Sequence, residues 1–184
     1  IKITIKTSAF FIIVPYKRFN LCLRYAKIKI GKFKHMMMEA VTVKLRSKPM
    51  TKEQIKQYLH KLQLADFTPK ADLATLQKLH DAHLKFIPYD NFDCLNSKIT
   101  SLKREDMFDK LILHNRGGIC FELNGIYAWL LESLGFNFVS FAGRFINKIN
   151  VYQMRQHRNM CVTIDGKRYI TDVGVNSESP RIPL

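Results

Sequence analysis

The sequence contains few cysteines and no apolar segment long enough to cross a membrane. Only four cysteines occur in 184 residues, and three of them are scattered widely, as Cys22, Cys94 and Cys161. This scatter argues against a disulfide framework and favours a reducing compartment, so we expect a cytoplasmic protein. The apolar run at 10–14 is far shorter than the ~18 residues of a membrane span, and no small-residue cleavage site follows it.

Acidic residues are also scarce, and the resulting positive charge lies mainly in one part of the chain. There are 30 lysines and arginines but 15 acidic residues, which gives a formal net charge of +15. Residues 1–50 hold twelve of the basic residues and a single acid, Glu39. We therefore predict that 1–49 is a basic N-terminal extension outside the catalytic fold, with the native start at Met50 or near Met36. A nucleic-acid or membrane-surface role for this extension is the alternative, and neither partner is expected.

Hydrophobic periodicity predicts helices first and strands later. Helical spacing covers 52–62, a segment starting at 68–69, 102–114 and 120–134, and strand patterns begin at Phe136. Helices that precede strands indicate an α+β fold rather than a parallel α/β sheet. We predict a helical domain at 50–135 that carries the nucleophile, followed by a partial β-barrel domain at 136–184.

Four histidines fall on the predicted helices, namely His60, His80, His83 and His114. His80 and His83 share a helix face, but no cysteine, aspartate or further histidine completes a metal-ligand set at suitable spacing. We therefore predict helix-surface histidines and no metal site.

The segment 116–124, Arg-Gly-Gly-Ile-Cys-Phe-Glu-Leu-Asn, places Cys120 where a loop becomes a helix. Unpaired backbone N–H groups and the positive end of the helix dipole favour a thiolate in a first helical turn, and Arg116 adds positive charge nearby. A thiolate is a nucleophile, so Cys120 is a candidate catalytic residue. A buried structural cysteine is the alternative.

A predicted hairpin supplies partners for such a nucleophile. Two strand patterns, 159–164 and 167–172, flank Asp-Gly at 165–166, which is a strong signal for a two-residue turn. In that register His157 and Asp172 are diagonal neighbours on one face, roughly 7–8 Å apart along the backbone. A carboxylate orients an imidazole, which can then accept a proton from a nucleophile. Cys120, His157 and Asp172 therefore form a catalytic-triad hypothesis.

These residues lie in segments that resemble the arylamine N-acetyltransferase family. Four segments resemble the family's motifs, in its order and with its ordinary spacing: 87–92, 116–125, 157–166 and 169–174. The resemblance runs from about Met50 to Leu184, and family members continue for roughly another domain. It implies an N-terminal helical bundle followed by antiparallel β-barrel strands with a cysteine-protease-like core, and a chain truncated so that the C-terminal lid domain is missing.

The resemblance also implies a reaction. Family members transfer an acetyl group from acetyl-CoA to the nitrogen of an arylamine, arylhydrazine or N-hydroxyarylamine, without a metal. If the family's residue roles apply to this sequence, Cys120 would hold the acetyl group as a thioester in a ping-pong reaction. His157 would pair with the thiolate and deprotonate the amine, and Asp172 would orient His157. Arg116 and Glu122 would form a support pair that shapes the loop, and no CoA-binding residue is assigned.

The chain also departs from the family pattern. Asp-Val-Gly-Val-Asn at 172–176 stands where the family usually has Asp-x-Gly-Phe-Gly, so Val175 is expected to widen the acceptor pocket and Asn176 to strain the loop. Three interpretations stay open: an acetyltransferase, a truncated non-catalytic remnant, and a Cys-His-Asp hydrolase or transglutaminase-like protein. Cleavage of peptide or glutamine donors without CoA would distinguish the hydrolase, and absence of an acetyl-enzyme would indicate the remnant.

Overall fold

The computed structural model describes residues 10–11, 14–15, 48–143, 145–146, 155–175 and 179–184. Most of the predicted extension at 1–49, and the predicted strain at Asn176, lie outside these residues. The elements in chain order are β1 (Phe10–Phe11), β2 (Val14–Pro15), α1 (Lys52–Lys61), α2 (Leu73–Phe86), α3 (Phe92–Leu95), α4 (Arg104–Phe108), a π-helical turn (Asp109–Leu113), α5 (Cys120–Ser133), β3 (Asn137–Gly143), β4 (Phe145–Ile146), β5 (His157–Ile164) and β6 (Lys167–Thr171). Among the helices of these residues, none has the length and apolar character needed to cross a membrane.

The first two helices begin at side-chain caps. At the start of α1, Thr51 Oγ1 accepts the Gln54 N–H at 3.1 Å, and Gln54 Oε1 accepts the Thr51 N–H at 2.9 Å. This reciprocal pair is a capping box. The start predicted for the second helix at 68–69 is wrong, because Asp72 is the N-cap and its carboxylate accepts the Thr75 N–H at 2.8 Å. A capping carboxylate satisfies a first-turn amide that would otherwise have no partner.

The strands form an antiparallel sheet. Its order is β2-β3-β5-β6, and β1 pairs separately with β4. β5 and β6 are joined by the predicted two-residue turn, where Asp165 and Gly166 have φ of 49° and 73° and Ile164 lies opposite Lys167. The expected helices and antiparallel strands are confirmed, although β1 and β2 precede the helices in the chain. The sheet of the described residues is open rather than a closed barrel, since β2 and β6 do not pair with each other.

The helix that begins at Cys120 forms the centre of the core. Ten of the fourteen residues of α5 are buried, including Trp129 and Tyr127, and the helix packs against β5. A helix that is apolar on all sides is stable only when other elements surround it. Only its two ends, 120–121 and 132–133, are partly exposed, and Gly135, with φ of 85°, follows its C-terminal end as predicted.

Two of the predicted surface histidines are buried. His80 and His83 on α2 are each 0% exposed. Burial disfavours the charged ring, so it lowers the pKa of His80, and together with the charge of His80 it lowers the pKa of His83 to about 3. Both side chains have polar partners, which periodicity alone does not reveal: His80 contacts Thr171, and His83 contacts Tyr58.

Candidate active site

Cys120 is the first residue of α5, as the sequence predicts, and it is half-buried. Its Sγ donates to the Gln156 carbonyl oxygen at 3.5 Å, which places the sulfur beside the start of β5. Glu122 Oε2 accepts the Ile119 N–H at 2.9 Å, so the amide before the nucleophile is fixed by the third residue of the helix. The sulfur therefore lies at the positive end of a helix whose first turn has a fixed position.

His157 and Asp172 form a direct hydrogen-bonded pair. His157 Nε2 lies 2.5 Å from Asp172 Oδ2, and the two side chains are 0% and 5% exposed. The predicted hairpin register explains the contact, because it continues to Met160 opposite Thr171 and Asp172 follows directly. The structure thus brings together all three residues that the sequence singled out.

The charge state of His157 results from two opposing effects. Burial would lower its pKa, but hydrogen bonds to Asp172 and to Cys120, together with their negative charges, outweigh burial and raise the pKa to about 9. Because Nε2 is engaged by Asp172, Nδ1 is the ring nitrogen available to the thiol. A protonated imidazole held between a carboxylate and a sulfur is the arrangement of a thiolate–imidazolium pair.

Asn124 connects the helix to the sheet, a role that the sequence interpretation missed. It lies one turn after Cys120, and its Nδ2 donates to the Arg158 carbonyl at 2.6 Å and to Asp172 Oδ1 at 2.9 Å. Its Oδ1 accepts the Val173 N–H at 3.0 Å. One buried amide thus fixes the strand after His157 and the carboxylate that contacts it. The sequence did contain a signal for this role: Asn124 lies four residues after Cys120, which places both side chains on one helix face.

Asp172 is held at both of its oxygens. Oδ2 contacts His157, while Oδ1 accepts from Asn124 and from the Gly174 N–H at 3.0 Å. The backbone then passes directly against the nucleophile, since a Cβ on Gly174 would lie 2.8 Å from Cys120 Cα. Such a close approach leaves room only for glycine.

The predicted support pair of Arg116 with Glu122 is wrong, because each has another partner. Arg116 pairs with Asp93 at 3.1 Å, whereas buried Glu122 pairs with Lys110 at 2.8 Å. Lys110 also contacts Asp93, at 2.7 Å, and so links the two pairs into one network. Burial opposes its charge, but hydrogen bonds to Asp93 and Glu122 prevail and raise the pKa of Lys110. The network joins α3, the π-helical turn and the loop before Cys120.

Three partly exposed apolar or aromatic residues belong to backbone segments that border Cys120. Tyr89 is 40% exposed and pairs through its backbone with Gly118, two residues before Cys120. Phe121 and Val175 are half-buried. In the parts of the chain that the structure describes, no three His, Cys, Asp or Glu side chains group as metal ligands.

Comparisons with known proteins agree on one family. The sequence model of a family described as N-acetyltransferase matches residues 72–184. Human arylamine N-acetyltransferase 2 is 32% identical over 127 residues, which are 68% of this chain and 44% of the human protein.

Solved structures give the same result. The arylamine N-acetyltransferase of Salmonella typhimurium has a TM-score of 0.67 and 33% identity, covering 73% of this chain and 49% of that one. The arylamine N-acetyltransferase of Mycobacterium marinum, solved in complex with CoA, has a TM-score of 0.65 and 29% identity, covering 71% and 49%. The chain spans about half the length of the relatives that it matches.

Proposed function

This chain belongs to the arylamine N-acetyltransferase family, and from that premise we propose that it transfers an acetyl group from acetyl-CoA to the nitrogen of an aromatic amine or hydrazine. The observation that carries the proposal is the direct bond of the buried imidazole of His157 to Asp172, next to the Cys120 sulfur that contacts the Gln156 carbonyl. The CoA complex of the M. marinum relative supports CoA as the carrier of the donated group.

The first half-reaction acylates Cys120. The thiolate attacks the thioester carbonyl of acetyl-CoA, the bond from that carbon to the CoA sulfur breaks, and His157 protonates the departing CoA thiolate. The products are free CoA and an acetyl thioester on Cys120. The bond of His157 to Asp172 outweighs the effect of burial and keeps the ring protonated beside the sulfur before the donor arrives.

The second half-reaction returns the enzyme to its starting state. The amine nitrogen attacks the acetyl thioester, neutral His157 accepts the proton that the nitrogen loses, and the Cys120 thiolate leaves. Asp172 stabilises the imidazolium and fixes the ring by accepting from Nε2. Phe121 and Tyr89 are proposed to contact the ring of the acceptor, since both lie near the sulfur and are partly exposed.

The same proposal includes the setting of the reaction. A cysteine-protease-like arrangement is proposed because the nucleophile begins a helix and its base lies on an adjacent strand. A reducing compartment, the cytoplasm, is proposed because Cys94, Cys120 and Cys161 are all free thiols. The chemistry assigned to these residues needs no metal.

Intact-protein mass spectrometry tests the proposal. Incubation with acetyl-CoA is expected to add a single acetyl group, about 42 Da, to the wild type and to Cys94→Ala, but not to Cys120→Ala. Addition of an arylamine such as aniline should then remove the added mass and yield the acetylated amine. Folded wild-type protein that gains no mass at millimolar acetyl-CoA would overturn the proposal.

A further inference from the structure

Both ring nitrogens of the buried His80 are engaged by one segment of the chain. Nδ1 lies 2.7 Å from Thr171 Oγ1, and Nε2 lies 2.6 Å from the carbonyl oxygen of Pro180. A carbonyl only accepts, so Nε2 donates to Pro180. Nδ1 of the neutral ring then accepts from the Thr171 hydroxyl. Burial lowers the pKa of His80, which favours this neutral form.

Thr171 and Pro180 stand at the two ends of the segment that borders the nucleophile. Thr171 immediately precedes Asp172, and Pro180 follows Ser179, whose Oγ accepts the Val175 N–H at 2.9 Å. The chain then returns to the sheet, where Leu184 exchanges two backbone hydrogen bonds with Ile170 of β6, at 2.7 and 2.9 Å. Residues far apart along this segment are therefore fixed to one imidazole on α2.

The described part of this segment contains the groups that touch the candidate active site. Asp172 contacts His157, and Gly174 packs against the backbone of Cys120. A shift at the end of β6 would move both groups relative to the sulfur. Displacements of about 1 Å at a reacting centre reduce rates by about 100-fold.

We propose that His80 is a positioning residue of this site: by holding Thr171 and Pro180, it fixes both ends of the segment that carries Asp172 and Gly174. The inference rests on the proposed function, because it assigns His80 a part in assembling the Cys120–His157–Asp172 triad.

His83 provides a matched comparison. It lies one helical turn after His80 on α2, is equally buried, and bonds through Nδ1 to the Tyr58 hydroxyl at 3.0 Å. Tyr58 is in α1 and has no contact with the 171–180 segment among the hydrogen bonds of the described residues. If both histidines only stabilised the fold, replacing either one would change the reactivity of Cys120 equally. If His80 positions the segment, only the replacement of His80 should change that reactivity.

Four variants separate these cases. His80→Leu removes both hydrogen bonds of the ring. Thr171→Val removes the bond to His80 and the bond to Tyr127 while keeping the branched shape, so it tests the inference if His80→Leu does not fold. His80→Asn places an amide where Nδ1 stood, which keeps the Thr171 partner and releases Pro180. His83→Leu is the control.

Hydrogen exchange measures the segment directly, at the amides of Val173 and Gly174, which are bonded to Asn124 and Asp172. We expect exchange about tenfold faster in His80→Leu and Thr171→Val, a smaller increase in His80→Asn, which keeps only the Thr171 bond, and no change in His83→Leu. Unchanged exchange in both His80→Leu and Thr171→Val overturns the inference.

Alkylation of Cys120 by iodoacetamide, followed by peptide mapping, measures the consequence for the nucleophile. We expect the rate at pH 7 to fall about tenfold in His80→Leu and Thr171→Val, with partial rescue in His80→Asn, which keeps the Thr171 bond but not the Pro180 bond. If His80→Leu and Thr171→Val exchange faster but Cys120 is alkylated at the wild-type rate, His80 has a structural role and the positioning role is overturned. If wild-type Cys120 itself reacts as an ordinary thiol, the proposed function fails, while the exchange data still decide whether His80 holds the segment.

Discussion

Replacement of Asp172 by asparagine is the sharpest test of the proposed pair with His157. The amide has nearly the same shape, so Oδ1 can still accept from Asn124 and Gly174. Its NH₂ group would replace Oδ2 and donate to His157 Nε2. The neutral imidazole would then carry its proton on Nδ1, facing Cys120, and could not accept the thiol proton.

The magnitude follows from the pKa of His157. A pKa of about 9 leaves the ring about 97% protonated at pH 7.5, whereas the ordinary value of 6.5 leaves about 9%. Burial lowers the pKa further once the carboxylate is gone. We therefore expect Asp172→Asn to reduce alkylation of Cys120 at pH 7.5 by at least about tenfold, and acetylation by acetyl-CoA by more.

Stability gives a second readout of the same substitution. The difference between a pKa of about 9 and 6.5 corresponds to about 3 kcal/mol that favours the folded protein. Because the folded-state pKa is the higher one, this contribution is complete below pH 6.5 and is lost as the pH rises through about 9. The wild type should lose stability to urea across that range, and Asp172→Asn should not.

A control on the same hairpin makes the comparison fair. Asp165→Asn introduces the same chemical change at the exposed turn, where asparagine tolerates a φ of 49°. It should leave both the alkylation rate and the pH dependence of stability as in the wild type. If Asp172→Asn alkylates at the wild-type rate and His157 still titrates near 9 by NMR, the argument for a thiolate–imidazolium pair is refuted.

Three further substitutions, one of them with a matched control, test other contacts of the fold and the site. Gly174→Ala should slow alkylation of Cys120 at least about tenfold, because the added Cβ would meet the Cys120 backbone. Gly135→Ala is the control: it is strained at φ of 85° but has no nearby atoms, so it should cost about 1 kcal/mol of stability and leave alkylation unchanged. Equal rates in the two variants would contradict this. Lys110→Met should cost about 3 kcal/mol in urea unfolding because it leaves buried Glu122 without its cation, and a loss below about 1 kcal/mol would disprove that role. The wild type should lose up to about 4 kcal/mol of stability as the pH falls from 6.5 towards 3, because the folded-state pKa of His83, about 3, lies below that of the unfolded chain. His83→Asn should remove this loss, and an acid-unfolding curve that matches the wild type would contradict it.

Local patterns predicted the parts of the fold that short-range chemistry determines. The Asp-Gly turn at 165–166 set the hairpin register, and that register correctly placed His157 next to Asp172. The glycines before Cys120 and the apolar periodicity after it located the start of α5. Each of these features depends on residues within a few positions of one another, so the sequence alone contains the information.

Features that depend on distant partners were not predictable in the same way. His80 is polar and lies on a helix, so periodicity favours the surface, yet Thr171 and Pro180 supply partners about 90 and 100 residues away. Arg116 and Glu122 were paired because both match positions of the family's signature, but Arg116 pairs with Asp93 and Glu122 pairs with Lys110. The open sheet likewise depends on which strands meet at its edges.

The burial of α5 on nearly every side also constrains how this protein can evolve. The element that presents the candidate nucleophile is the same element that fills the core, so most substitutions along it would be selected first for packing. Tyr89 and Val175, by contrast, belong to connecting segments that border Cys120 through Gly118 and Gly174. Substitutions that change the environment of Cys120 are therefore expected to accumulate in those segments, while α5 changes slowly.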